Sequence, residues 1–271
     1  MTLLALVVAR VQRRVERSTR STRLLGVGTV AMLLGPCAPT DCEPPPAPPP
    51  TQYFGWVGVG GALPSDATCA AGVRGAGEVR PGNATPNATT WGSRSAEFTR
   101  ATGNFTGSTD EIIQWAACKW GFDENTLRAQ VAKESYWNQG NLGDWTTNPN
   151  NCAPGHPIGR DGRAGQCPES VGVMQVRTPY FRDSIEGSLR STAYNIDIAL
   201  SVWRRCYEGQ ETWLNDVERG RQYGAGDAWG CIGRWFSGRW YTQPSLDYIA
   251  AVRAYLDQRI WLDPGFIAWR P

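Results

Sequence analysis

The stretch QVAKESYWNQGNLGDW, residues 130–145, places a glutamate near the end of a predicted helix. Leu127, Val131 and Glu134 are spaced i, i+4 and i+7, so Glu134 shares one helix face with two aliphatic residues. Loss of water around a carboxyl group disfavours its charged form and raises its pKa. A carboxyl that stays protonated near neutral pH can donate a proton to a glycosidic oxygen. The spacing makes Glu134 a candidate general acid, but most helix glutamates are simply solvated, and the spacing alone does not favour the catalytic role.

The composition limits the other kinds of chemistry. The chain has one histidine, His156, so a Ser-His-Asp or Cys-His mechanism could only run through that residue. A catalytic zinc site normally needs two or three imidazoles or closely spaced thiolates, and the sequence has no CxxC pair. We therefore expect no metal and no cofactor. The net charge of +2 gives no reason to expect a nucleic-acid partner.

The elements that would position Glu134 begin at residue 108. Ser108 and Glu111 form a capping-box pattern before an apolar run with helical spacing, and Asp123 can cap the helix that carries Glu134 and ends at Ser135. A Gly-, Asn- and Pro-rich loop at about 138–168 and a short region that could form strands at about 171–177 are predicted next. Further helices are predicted at 191–207, 226–236 and 245–260.

Eight cysteines at scattered spacing favour disulfides over metal ligation. Two of them, Cys37 and Cys42, lie close to the N-terminal leader, and the remaining six allow fifteen pairings. We predict one disulfide that closes a Gly-rich loop, one that joins two consecutive helices, and a third by elimination. In that order these are Cys152–Cys167, Cys206–Cys231 and Cys69–Cys118.

The N-terminal part is predicted to lie outside the helical domain. An Arg-rich segment precedes an apolar run at 24–35, which has the length of a signal peptide and is too short to span a bilayer comfortably. We predict an export leader over 1–42, a polyproline II spacer over 43–50, and an irregular Gly-, Thr- and Asn-rich arm over 51–107 that packs on the helical domain. The protein is then expected to be secreted or in the cell wall, without stable membrane insertion once the signal is removed.

Residues 108–262 resemble the soluble lytic transglycosylase family of peptidoglycan-cleaving enzymes, which share the lysozyme-like fold with goose-type lysozymes. Four short motifs occur here in the family's order, and together they are more specific than any one alone. The family's Glu-Ser pair is matched by Glu134-Ser135, and its Gly-Leu-Met-Gln motif after a serine is matched by SVGVMQV at 170–176. The family's Asn-Ile pair is matched by Asn195-Ile196, and its later helix with Tyr and Val is matched by Tyr248 and Val252.

This resemblance implies a mainly α, α+β lysozyme-like fold, with a single helical catalytic domain over 108–271, a disulfide-braced loop and the irregular arm. It implies cleavage of the bond between N-acetylmuramic acid and N-acetylglucosamine, with Glu134 as acid and then base and a 1,6-anhydro product. The expected partner is peptidoglycan or a related GlcNAc-containing glycan, bound by a monomer. The residues expected to bind it are Ser135, Gly172, Met174, Gln175, Asn195, Tyr248, Trp137 and Trp235.

Three alternatives remain open at the level of sequence. A lysozyme-type hydrolase would need a second carboxylate to activate water, and Asp144 and Glu169 are the nearest candidates. A chitinase-like enzyme would keep the acid and change the polymer. A non-catalytic wall-binding protein is favoured by one departure from the family: Phe236, in GRWFSGRW, stands where the family often has a substrate-contacting asparagine.

Overall fold

The computed structural model describes residues 53–92 and 97–270. The leader and spacer predicted for residues 1–50 lie outside these ranges, as do Cys37 and Cys42. The described part is mainly helical, with one small three-stranded sheet and three disulfides. None of its helices is long and apolar enough to cross a membrane.

The elements follow one another along the chain, with the sheet between the fourth and fifth helices. The helices are α1 (Asp66–Ala71), α2 (Ala84–Asn87), α3 (Thr109–Trp120), α4 (Glu124–Ser135), α5 (Ile185–Arg190), α6 (Thr192–Tyr207), α7 (Ala228–Ser237), α8 (Gln243–Gln258) and α9 (Pro264–Ala268). The strands are β1 (Leu142–Thr146), β2 (Cys167–Val171) and β3 (Val176–Arg177). Single 3-10 turns occur at Pro81–Asn83, Pro149–Asn151, Thr212–Asn215 and Ile260–Leu262.

The predicted helix pair that carries Glu134 is confirmed as α3 and α4. Ser108 and Glu111 form the capping box at the start of α3, and the side chain of Asp123 caps α4. Gly121, at φ +63°, ends α3 in the left-handed conformation that glycine adopts at little cost. The two helices are therefore separated by a tight turn and pack against each other.

α8 links α4 to the helices that follow the sheet. α8 packs against both α4 and α7, while α6 packs against α3 and is buried along nearly its whole length. The predicted helices at 191–207, 226–236 and 245–260 correspond to α6, α7 and α8. α4 thus lies against α8, and the Ser135 hydroxyl at its end donates to the Val173 carbonyl in the turn between β2 and β3.

The sheet corrects the prediction of a long loop over about 138–168. β1 lies inside that range and pairs antiparallel with β2, with Gly143 opposite Ser170. β2 pairs in turn with β3, with Val171 opposite Val176, and all five residues of β2 are buried. β1 is half-buried to exposed and has no clean alternation, so its sequence gives little strand signal.

All three predicted disulfides are present: Cys69–Cys118, Cys152–Cys167 and Cys206–Cys231. The first joins α1, in the Gly-rich arm, to α3. The other two close the long loop onto β2 and join α6 to α7, as the spacing predicted.

A buried ion pair also ties the arm to the helices. The Lys119 ammonium on α3 lies 2.7 Å from an Asp197 carboxylate oxygen on α6, and both side chains are fully buried. The same carboxylate accepts hydrogen bonds from the backbone N–H groups of Thr102 and Gly103 in the arm, each at 2.9 Å. The described residues from 53 onward belong to one compact unit.

Candidate active site

A cavity of about 710 Å³ lies where the end of α4, the sheet, α6, α7 and α8 come together. Its lining combines many aromatic rings with four carboxyl groups. The aromatic residues are Phe98, Tyr180, Phe181, Trp213, Trp235, Phe236 and Tyr248. The carboxyl groups belong to Glu97, Glu134, Asp144 and Glu211.

Glu134 lies in the last turn of α4, half-buried in the cavity wall. Burial raises the pKa of its carboxyl group from 4.5 to about 7, and the negative charge of Asp144 adds to the rise. A hydrogen bond from the Tyr248 hydroxyl to Oε1 and the charge of Lys133 act in the opposite direction. A carboxyl group with its pKa near neutral pH can serve both as proton donor and, once ionised, as proton acceptor.

Tyr248 holds this carboxyl from α8. Its side chain is buried, and burial together with the Glu134 charge raises the pKa of its hydroxyl well above 10. The hydroxyl therefore keeps its proton and acts as a donor to Glu134 at any working pH. The Tyr248 ring stacks in parallel on the ring of Phe236, with centroids 4.8 Å apart and an interplanar angle of 2°.

The turn between β2 and β3 is fixed to the end of α4 and to α6. The Ser135 hydroxyl donates to the Val173 carbonyl at 2.9 Å, and the Met174 N–H donates to Asn195 Oδ1 at 2.8 Å. Gly172 lies in this turn at φ +79°. A Cβ atom there would lie 2.2 Å from Asn195 Nδ2, so both the conformation and the space require glycine.

Four residues expected to bind substrate therefore lie behind the cavity wall and do not line it. Ser135, Gly172, Met174 and Asn195 lie close together, and their polar groups bond to protein. They position the fifth motif residue, Gln175, which does line the cavity.

Gln175 has φ +53°, an uncommon conformation for a residue with a side chain. Its amide nitrogen donates to the Gly172 carbonyl at 2.8 Å and to the Asn141 carbonyl at 3.2 Å. The side chain is thus held in place at the cavity surface. We infer that a bound ligand meets it in this one orientation.

The two tryptophans expected in the cleft are placed differently. Trp235 lines the cavity, donates its indole N–H to the Met174 carbonyl at 3.1 Å and stacks on Phe181. Trp137 is a core residue instead: it is 3% exposed, donates to the Arg128 carbonyl at 3.0 Å and packs edge-on against Phe266. The positive φ values at 136 and 137, 55° and 64°, turn the chain and point this ring inward, so the predicted stacking of Trp137 on substrate is corrected.

The structure distinguishes Asp144 from Glu169, the two carboxylates that the sequence offered as candidates for activating water. Asp144, on β1, lines the same cavity as Glu134 and accepts a hydrogen bond from the Ser170 hydroxyl. Glu169 is buried and not part of the lining. Burial opposes its charged form, but hydrogen bonds from Asn151 and Arg177 outweigh burial and lower its pKa. Glu169 is therefore ionised and paired with Arg177.

Arg177 and Tyr180 were not predicted as site residues. The Arg177 guanidinium lies 2.6 Å from Glu169 and 3.8 Å from Asp144, over the ring of Tyr180 at 5.4 Å from its centroid. Both come within four residues after the SVGVMQV motif, which is the only sequence signal for them.

Within residues 53–92 and 97–270, no group of three or more His, Cys, Asp or Glu side chains could hold a metal ion. The single histidine lies in the loop closed by Cys152–Cys167, where His156 Nδ1 is 3.1 Å from the Asp161 carboxylate. No family model, curated protein or solved structure matches the chain. The chemistry of the site therefore has to be inferred from its own residues.

Proposed function

We propose that the chain is a peptidoglycan-cleaving enzyme of lysozyme-like fold that acts on the β-1,4 bond between N-acetylmuramic acid and N-acetylglucosamine. One observation carries this proposal. Glu134, with its pKa raised to about 7 by burial, faces an aromatic-walled cavity of about 710 Å³. A general acid needs its pKa near the working pH, and a glycan needs a cleft with rings on which its sugars can stack.

The arrangement of elements supports a lysozyme-like domain. The acid ends a helix, a small antiparallel sheet comes directly after it, and the remaining helices close the cavity from the other side. Three disulfides in the described part fit a protein that works in an oxidising compartment outside the cytoplasm. Peptidoglycan lies in such a compartment.

The proposed reaction uses one carboxyl group. Protonated Glu134 donates its proton to the bridging oxygen, the bond from that oxygen to C1 of the muramic sugar breaks, and positive charge develops at C1. The Glu134 carboxylate then takes the proton from the muramic 6-hydroxyl while that oxygen bonds to C1. A 1,6-anhydro ring forms, no water is consumed, and Glu134 is again protonated.

Neighbouring side chains would support these steps. Tyr248 keeps one Glu134 oxygen in place, so the other is directed at the substrate. Gln175 lines the cavity with its amide nitrogen already bonded to two backbone carbonyls, so its side-chain oxygen is the group left to accept a hydrogen bond from substrate. Trp235 is anchored by its indole N–H and lines the cavity, where it can contact a bound sugar.

A second function, hydrolysis, is favoured by the position of Asp144. This carboxylate shares the cavity with Glu134 and raises its pKa. In an inverting glycosidase a second carboxylate activates the attacking water. The same cleft with Asp144 as the base would give reducing ends in place of anhydro ends.

Mass spectrometry of the products from purified peptidoglycan tests the proposal. The unmodified protein is expected to release anhydromuropeptides, and Glu134→Gln is expected to release none. Glu186→Gln, which removes an exposed carboxylate on α5, is the matched control and is expected to behave as the unmodified protein. A soluble, folded protein that binds peptidoglycan without releasing products would contradict the enzymatic proposal.

The variant Asp144→Asn distinguishes the two reactions. If the ring closes without water, this variant still yields anhydro ends, at a rate altered only through the pKa of Glu134. If Asp144 activates water, the unmodified protein gives reducing ends and the variant loses turnover by a factor of about 100 or more. Reducing ends would replace the transglycosylase proposal with the hydrolase.

A further inference from the structure

Phe236 is an exposed aromatic residue inside the cavity. It lies in the last turn of α7 and is 57% exposed, more than any other phenylalanine or tryptophan among the exposed hydrophobic residues of the described ranges. One face of its ring is covered by Tyr248, at 4.8 Å and 2° from parallel. Phe236 and Glu134 line the same cavity, and the 57% exposure of Phe236 leaves the side of its ring away from Tyr248 available for contact.

The ring is held firmly although it is exposed. Tyr248, beneath it, is 4% exposed and hydrogen-bonded to Glu134. Beside it, the hydroxyls of Ser237 and Ser245 lie 2.6 Å apart and join the end of α7 to α8. A ring fixed in this way loses little further freedom when a ligand covers it, so more of the contact energy is available for binding.

We propose that Phe236 is the stacking platform for the N-acetylhexosamine ring next to the bond that Glu134 cleaves, an assignment that rests on the proposed function. The C–H groups on one face of a pyranose form an apolar surface that matches an open aromatic face. Phe236 has no hydrogen-bonding group, so it contributes only apolar contact. One face of the Phe236 ring lies on Tyr248, and Tyr248 bonds to Glu134. A sugar stacked on Phe236 would therefore lie at a defined distance from the Glu134 carboxyl group.

The neighbours of Phe236 fit this role. Trp235, the preceding residue, also lines the cavity, and Arg239 comes directly after the helix end at Gly238. A Cβ atom built on Gly238 meets nothing within 4 Å, so the space beside the platform is open. A sugar stacked on Phe236 therefore has room for its substituents, and the Arg239 side chain lines the same cavity.

Phe236 could also act on Glu134 indirectly, since it covers Tyr248. Binding to a form without a titrating acid separates the two effects. The test is calorimetric titration of a β-1,4-linked N-acetylglucosamine hexamer into Glu134→Gln protein, with and without a change at Phe236. Phe236→Leu is expected to weaken binding about tenfold, the size expected when one aromatic contact is lost.

Two further variants control the measurement. Phe236→Tyr keeps the ring and is expected to bind within about twofold of the parent. Tyr53→Leu removes a 51% exposed ring outside the cavity and is expected to leave binding unchanged. Melting temperatures of all forms establish that each is folded.

The possible results test the stacking role of Phe236 separately from the proposed cleavage reaction. Equal affinity of Phe236→Leu and its parent, or no binding of the hexamer to either, overturns the platform. In the enzyme with Glu134 intact, Phe236→Leu is expected to raise KM with the pH profile unchanged, and a shifted profile would mean that Phe236 acts through Glu134. Ring-dependent binding without cleavage of peptidoglycan would keep the platform and overturn the proposed function.

Discussion

Glu134 shows how one residue acquires its chemistry from competing effects. Burial disfavours its charge and raises its pKa, whereas the Tyr248 hydroxyl and Lys133 stabilise the carboxylate, and the balance is a pKa of about 7. A carboxyl whose pKa is higher in the folded state keeps its proton where the unfolded chain has lost it. Its contribution to stability is therefore full below pH 4.5 and is lost as the pH rises towards 7.

Replacing this carboxyl is expected to stabilise the protein in a pH-dependent way. The glutamine of Glu134→Gln cannot ionise, so the substitution should stabilise the protein more at pH 8 than at pH 4. The expected difference in the free energy of unfolding is about 2 kcal/mol, after a reduction for the partial exposure of the side chain. Thermal unfolding at the two pH values measures the difference. Glu186→Gln, at an exposed site, should change the melting temperature equally at both. An equal effect of Glu134→Gln at both pH values would contradict the raised pKa.

Gly172 offers a matched pair with Gly162, because both have φ +79°. Gly162→Ala meets nothing within 4 Å and is expected to cost about 1 kcal/mol from conformation alone. Gly172→Ala also drives its Cβ into the fully buried Asn195 side chain and is expected to cost about 3 kcal/mol or more. Urea unfolding of both variants tests this, and equal losses would show that Asn195 can move aside.

A local pattern anticipated part of the geometry around Glu134. Helical spacing puts Glu134 on the same face as Leu127 and Val131, and its side chain is half-buried in the cavity wall, while its role as proton donor stays a prediction. Trp137 was misplaced because two successive positive φ values, which no sequence signal marks in non-glycine residues, turn it into the core. Asp144 could not be separated from Glu169 by sequence, because the pairing of β1 with β2 sets the two opposite each other and Asp144 departs from regular strand geometry, with φ +48°.

At the scale of elements, α3 and α6 are joined by a buried ion pair. Lys119 and Asp197 are each fully buried, and the carboxylate also accepts the Trp120 indole N–H at 2.6 Å. A buried charge that loses its partner is costly. The position of both helices, and of the arm residues bonded to the same carboxylate, thus depends on this pair.

Lys119→Met is expected to destabilise the protein by about 3–5 kcal/mol, because it leaves the Asp197 charge buried without its counter-ion. Chemical denaturation measures the loss. The matched control is Arg190→Met, which removes an exposed partner of Glu186 and should cost less than about 1 kcal/mol. Losses of similar size in the two variants would show that the buried pair contributes no more than a surface pair.

The helices were predictable because their ends carry explicit signals. The capping box at Ser108 and the cap at Asp123 marked the starts of α3 and α4, and the apolar spacing marked α6 and α8. β1 was missed because a half-buried edge strand lacks alternation and owes its conformation to pairing with β2. Tertiary contacts of this kind are not encoded locally.

At the scale of the whole molecule, the arm belongs to the same compact unit as the helices. It contributes few aliphatic residues of its own, and Cys69–Cys118 links it to α3 across 49 residues of sequence, compared with 15 for Cys152–Cys167. Crosslinks that close longer loops restrict the unfolded chain more. The arm is thus expected to be essential for stability.

The loss of stability on removing either of these two disulfides should increase with the length of the loop that it closes. Cys69→Ala with Cys118→Ala is expected to cost about 4 kcal/mol, and Cys152→Ala with Cys167→Ala about 3 kcal/mol, by chain entropy. Unfolding free energies of the two double variants provide the measurement. A larger loss on opening the 152–167 loop would mean that this loop contributes native contacts beyond its crosslink.

The most direct test of the central claim is the rate of peptidoglycan cleavage as a function of pH. With Glu134 as the acid, product release by the unmodified protein should fall as the pH rises through about 7, and Glu134→Gln should be inactive throughout. A rate that stays constant or rises between pH 7 and 9, or activity retained by Glu134→Gln, would contradict the assignment of Glu134 as the proton donor.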